Sequence, residues 1–197
     1  VSMREGLLKL VGSKNFSDDP EALKAYSTDF SLAPVGVANC AVKPRKTEEV
    51  QKVIEWANAH SIPVVPVSSS VHYHGTAIPR QGGIVLDLTR MDRVLEIDAL
   101  NKRVRIESGV TWERLTNELA KKGFRIMMPL LPHPMRSVVT DYLEREVITN
   151  TVYDYGEPLQ SMEVVWPTGE VFRTGSASVT CYPDSPSKGA NPSGPGL

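Results

Sequence analysis

The residues best suited to chemistry stand in one short run, Ser68-Ser69-Ser70-Val71-His72-Tyr73-His74-Gly75. It follows the apolar stretch Ile62-Pro63-Val64-Val65-Pro66-Val67. A turn of small residues at the carboxyl end of a β-α-β strand is a place for phosphates. Small side chains let backbone N–H groups approach an anion, and a concave run of such groups forms a nest. The three serines add hydroxyl donors. The same run also reads as a solvated polar loop. His72 and His74 would share a face of an extended segment, which admits a metal pair. Only His60 and His133 remain as further imidazoles, and neither is close in sequence. A hydrogen-bonding role in the loop is therefore the plainer reading, and no metal is expected.

A second run, His133-Pro134-Met135-Arg136-Ser137-Val138-Val139-Thr140, lacks periodicity, and Glu144, Arg145 and Glu146 follow it. A long irregular stretch of this kind is often functional. It also reads as a surface crossing that carries an ion-pair cluster.

The elements that must position these runs are legible on either side. Met3 to about Val11 reads as a helix with Leu7, Leu8 and Val11 on one side. Asp18 and Asp19 offer cap oxygens for a second helix that has Pro20 in its first turn and ends near Tyr26. A β-α-β unit follows. Ala41-Val42-Lys43 is a strand, Thr47 is placed to cap a helix, and Val50, Val53, Ile54 and Ala57 recur at helical spacing. The stretch from Ile62 to Val67 then returns as a strand whose near-continuous apolar character suits burial on both faces. Further on, Gly83 to Leu88 is a strand, and Val94 to Ile97 with Val104 to Ile106 form a hairpin. Thr111 caps a helix carrying Trp112, Leu115 and Leu119, and Gly123 stops it. Phe124 to Met127 reads as another strand, and a second hairpin folds around Pro167-Thr168-Gly169.

Composition bounds the function classes. The chain has 197 residues, 41% hydrophobic and 23% charged, which suits a globular domain and excludes a disordered chain, a collagen or a disulfide scaffold. With 22 Lys+Arg against 23 Asp+Glu, net charge is −1, so there is no basic footprint for nucleic acid. Cys40 and Cys181 lie too far apart for a ligand spacing and are expected as free thiols in a reducing, cytoplasmic setting. No apolar run approaches the ~20 residues that span a bilayer.

Four stretches together look familiar: VKPRKTEEVQKVIEWANAHSIPVVPVSSS, GGIVLDLTRMDRVLEID, VRIESGVTWERLTNELAKKG and EVVWPTGEVFRTGSAS. In this order and spacing the chain resembles the PCMH-type FAD-binding domain of the vanillyl-alcohol oxidase family of FAD-linked oxidases. That family includes p-cresol methylhydroxylase, D-lactate dehydrogenases and the glycolate oxidase flavin subunit. The resemblance covers most of residues 40–178. It implies an α+β PCMH-type fold, with a small β-α-β subdomain and a larger mixed or antiparallel sheet flanked by helices. It also implies an N-terminal helical segment over 1–36, an FAD-binding domain over 37–182 in two parts (about 37–90 and 91–182), and a Pro/Gly/Ser-rich end over 183–197, with a substrate domain expected beyond Leu197.

The family loop that wraps the FAD pyrophosphate usually reads Arg-Gly-Gly-Gly-x-Ser-x-x-Gly. Here the matching positions run from Val67 to Gly75, and only the last glycine, Gly75, survives. Any of the serines required at positive φ would be strained. The resemblance assigns FAD contacts to Val67, Ser68, Ser69, Ser70, Val71, His72 and Gly75. It assigns further contacts to Pro132, Ser137, Val138 and Thr140, in the place of a glycine-pair segment. Some relatives attach the flavin through a histidine in the first loop. By register that position is Val71, so noncovalent FAD is expected.

Two physical points favour FAD beside the resemblance. A near-neutral chain holds a dianionic pyrophosphate only through oriented donors. The hydrophobic strands around the loop would shield the isoalloxazine from water. The expected function is the flavin-binding part of an oxidoreductase that moves hydride from a small hydroxy acid or alcohol to flavin. Substrate would be held through a further domain, and an electron-transfer subunit is a possible partner. The alternative is a flavin-free electron-transfer or assembly subunit of the same fold.

Overall fold

The computed structural model describes residues 2–129, 132–144 and 158–175. Expectations that fall on Cys181, Arg145, Glu146 and the Pro/Gly/Ser-rich end lie outside these residues.

Helix α1 (Met3–Val11) starts with a capping box, in which Ser2 accepts from the Glu5 amide and the Glu5 side chain reaches back. β1 (Phe16–Ser17) and the short helix α2 (Pro20–Leu23) follow. Asp19 is the N-cap of α2, and a 3-10 turn carries the chain on to Tyr26. β2 (Cys40–Val42) leads into α3 (Thr47–Ala59). Lys46, not Thr47, is the N-cap of α3; Thr47 is its first helical residue, and its hydroxyl donates to Glu163 at 3.0 Å.

β3 (Val64–Val67) and β4 (Ile84–Asp87) complete a four-stranded sheet in the order β1-β2-β4-β3. β2, β4 and β3 run parallel, and β1 joins antiparallel. This sheet corrects the expectation for residues 62–67. β3 is an edge strand, with Val64 and Val65 half-buried and Pro66 exposed. Pro66 lacks the N–H that an inner strand must donate, so the edge is where it fits. The strand covered on both faces is β4, buried at all four positions. Its residues alternate between two cores. Ile84 and Leu86 join Cys40, Val42, Leu7, Val50, Val53 and Ala57 under α1 and α3. Val85 joins Ala41, Val67, Leu23, Ala38 and Ala77 on the other face.

β5 (Val94–Asp98) and β6 (Arg103–Ile106) form the first hairpin, with Lys102 at φ 55° in its turn. α4 (Trp112–Ala120) is capped by the Thr111 hydroxyl, and Gly123 follows it at φ 74°. The stretch from Phe124 to Met127 pairs with no strand, contrary to expectation. Phe124 and Ile126 instead lie against a third core formed by Val110, Trp112, Leu115, Leu119, Val138 and Tyr142. α5 (Val138–Leu143) closes this core. β7 (Glu163–Val165) and β8 (Val171–Arg173) form the second hairpin, so the antiparallel ladders among the described residues are two-stranded apart from the β1–β2 pair. No helix among them is long and apolar enough to cross a membrane.

Candidate functional site

The parallel strands β2, β4 and β3 deliver their carboxyl ends to one edge, where open α/β sheets bind ligands. At that edge Asp87 ends β4. It accepts from the Tyr26 hydroxyl at 2.6 Å and from Thr89, and it pairs with Lys43 at 3.1 Å. Burial alone would raise the Asp87 carboxyl, but the hydrogen bonds from Thr89 and Tyr26 and the Lys43 charge outweigh it and lower its pKa. Val67, opposite Asp87, ends β3 and opens into residues 68–75.

Here the serines are not strained. Among the described residues, the non-glycine positions with positive φ are Ser61 and Lys102, and Ser68, Ser69 and Ser70 are not among them. Gly75 is the one position of the loop with positive φ, at 70°. A Cβ there would stand 2.6 Å from Ala33 Cβ, so glycine is required at that end and nowhere else in the run.

The loop closes on itself through side chains. The Ser69 hydroxyl donates to Val71 O at 3.1 Å, and Ser69 is buried. His72 is buried as well, with Nε2 2.9 Å from Ser69 O. A carbonyl only accepts, so Nε2 carries the proton. Burial lowers the His72 pKa below its ordinary value. The backbone N–H groups of Ser68 and Ser69 are in buried residues, and that of Ser70 is in an exposed one; all three donate to no acceptor among the described residues. Buried amides in native structures nearly always have a partner. Three consecutive donors with no acceptor among the described residues, at the tip of a parallel strand, suit an anion.

Two segments hold the loop from outside. Asp29 Oδ2 accepts from Gly75 N at 2.6 Å, and Phe30 N donates to His72 O at 2.9 Å. Burial would raise the Asp29 carboxyl, but hydrogen bonds from Ser31 and Gly75 and the nearby His72 lower it overall. On the other side, Ser68 Oγ and Thr140 Oγ1 are 2.5 Å apart. Arg136 is 2% exposed; it pairs with Asp141 at 2.6 Å and with Glu144, and its guanidinium lies 4.3 Å from the Tyr73 ring centroid. Trp112 Nε1–H donates to the same Asp141, and His74 stands 3.6 Å from Glu144.

The expected site residues are thus only partly brought together. Ser68, Ser69, Ser70, His72, Gly75 and Thr140 meet at the edge just described. Val67 and Val71 are buried, at 4% and 3% exposure, and support the loop from within. Ser137 and Val138 face the third core instead. Ser137 Oγ donates to Ser108 O at 2.7 Å and caps α5, and Val138 N donates to Val110 O. Pro132 is half-buried and makes no hydrogen bond to the loop. Asp29, Tyr73 and Asp141 carry much of the arrangement, yet their spacing in sequence gives no hint of it. Among the described residues, no group of three or more His, Cys, Asp or Glu is placed to hold a metal.

The profile of the FAD binding domain family matches residues 38–175. The chain belongs to that family. Glycolate oxidase subunit GlcD of Bacillus subtilis is 27% identical over 177 residues, covering 88% of this chain and 37% of that protein. The flavoprotein subunit of 4-cresol dehydrogenase [hydroxylating] of Pseudomonas putida is 29% identical over 180 residues, 86% of this chain and 34% of that one. A solved structure of p-cresol methylhydroxylase with substrate bound superposes with a TM-score of 0.79 at 26% identity, over 89% of this chain and 35% of that chain. The chain therefore spans about a third of the length of these relatives, and its fold is the PCMH-type FAD-binding fold.

Proposed function

We propose that this chain binds FAD noncovalently and serves as the flavin-binding part of an oxidoreductase. The observation that carries the reading is the run of backbone donors at Ser68, Ser69 and Ser70, two of them buried, at the carboxyl end of β3. The donor set suits a pyrophosphate: three consecutive neutral amides on small residues that donate to no acceptor among the described residues. The exposed Ser70 adds a hydroxyl, Thr140 steadies Ser68, and Val67, Val71 and Gly75 shape the backbone.

Bound FAD supplies hydride acceptance, and the residues named here bind and orient it. The substrate class that fits the relatives' names is a small hydroxy acid or an alcohol, held by a part of the protein beyond this chain. An electron-transfer partner is in keeping with the cresol dehydrogenase relative, which is named as a flavoprotein subunit. Noncovalent binding rests on two features. Val71 occupies the position of the linking histidine in the relatives that have one, and His72 commits its Nε2 proton to Ser69 O.

Substituting leucine at both Ser69 and Ser70 is expected to abolish FAD uptake, read as flavin absorbance retained after gel filtration. Undiminished uptake would remove the loop from the site. Flavin that stays with acid-precipitated protein would overturn the noncovalent reading. A colourless wild-type protein that ignores added FAD would select the second reading, a flavin-free electron-transfer or assembly subunit. The replacement of three family glycines by serines is the feature that favours it.

A further inference from the structure

The loop of residues 68–75 carries serines at positions 68–70 and positive φ at Gly75 alone, so its path must be held by side chains. The structure offers a holder. Residues 136–144 touch the loop near both ends, through Thr140 on Ser68 and through Arg136 on Tyr73. Arg136 is itself fixed, since it is buried between Asp141 and Glu144, and Asp141 also accepts from the Trp112 indole in the third core. One guanidinium between two carboxylates has no net positive charge to offer a diphosphate. The Arg136 guanidinium also lies 4.3 Å from the Tyr73 ring centroid, a cation–π contact that gains strength where water is excluded.

We propose that Arg136 is a positioning residue for the cofactor loop. It acts through Tyr73 and together with the Thr140–Ser68 contact to hold the amides of residues 68–70 in a binding geometry without touching the cofactor. This rests on the FAD reading above. It replaces backbone freedom at glycine with an external clamp, a form of preorganisation that raises affinity by removing the ordering cost from the binding step.

Removing Arg136 would strand two carboxylates, so the clamp is better tested at its ends. FAD affinity of the whole chain is measured by fluorescence titration for the wild type, Tyr73→Phe, Tyr73→Leu, Thr140→Ser and Thr140→Val, with the melting temperature of each FAD-free protein alongside. Tyr73→Phe and Thr140→Ser keep the contact and are expected to bind like the wild type. Tyr73→Leu and Thr140→Val are expected to bind about tenfold more weakly. Their FAD-free melting temperatures should stay within about 2 °C of their conservative partners. If Tyr73→Leu binds as tightly as Tyr73→Phe, the clamp is refuted while the FAD reading stands. If its affinity and its FAD-free melting temperature fall together, the ring is merely structural and the proposal fails. If the wild type itself binds no FAD, both readings fall.

Discussion

The two ends of β3 are held by different physics. At its start, Pro63 O accepts from Ile84 N at 2.9 Å, and Gly83 lies directly against Pro63. A Cβ on Gly83 would sit 2.2 Å from that same oxygen, and Gly83 has φ 88°. Backbone and volume fix this end, and the chain satisfies it unaided. At the other end, residues 68–75 are held by hydroxyls, Asp29 and a stacked guanidinium, and the amides of Ser68 and Ser69 are left without an acceptor among the described residues. An end that closes on itself is architecture. An end that leaves amides in buried residues without an acceptor among the described residues is where the proposed ligand would complete the structure.

The contrast can be broken most forcefully at Gly83. Gly83→Ala combines a backbone clash with a strained φ and is expected to cost about 3 kcal/mol or more of folding stability, measured by urea unfolding. Near-wild-type stability would mean the first end of β3 is as adaptable as the second. At the other end, Asp29→Ala strips Gly75 N of its acceptor. A loss of about 1–2 kcal/mol is expected, with FAD binding weakened by about tenfold, as seen by urea unfolding and fluorescence titration. Equal affinity would show that the Asp29 side of the loop is irrelevant to the site.

Acid sharpens the comparison further. The His72 pKa is lowered below its ordinary 6.5 by burial, so as pH falls the unfolded chain takes the proton first. The contribution of His72 is therefore complete above pH 6.5 and is lost as pH drops through its folded value. The melting temperature of the wild type should fall with acid over that window, and His72→Asn should flatten the dependence. An unchanged slope would take His72 out of the loop's support. The smallest effect belongs to Ser61, just before β3, which holds φ 52° without being glycine. Ser61→Gly is expected to stabilise the protein by about 0.5–1 kcal/mol, visible as a higher urea midpoint.

What could be read in the sequence followed the same divide. α1, the β-α-β unit, both hairpins and the Trp112 helix were legible because apolar period and turn residues act locally. The burial of the strand at 62–67 was misassigned, since an apolar run does not say whether it lies inside a sheet or on its edge. Pro66 carried the missing hint, because an N–H-less residue suits an edge. That a run of small residues leaves the carboxyl end of β3 was legible in the sequence. Its support was not. Asp29 lies 46 positions from Gly75, and Thr140 lies 72 from Ser68. Polar contacts across such separations leave no periodic trace. The conditional strain at the serines does not arise, because positive φ within the loop falls at Gly75 alone.

Backbone amide spectra of the isotopically labelled chain, recorded as FAD is added, report directly on the Ser68, Ser69 and Ser70 donors. The account predicts that these three N–H resonances move the most and saturate together with the flavin signal. FAD that binds while those resonances stay put would place the pyrophosphate elsewhere and contradict it.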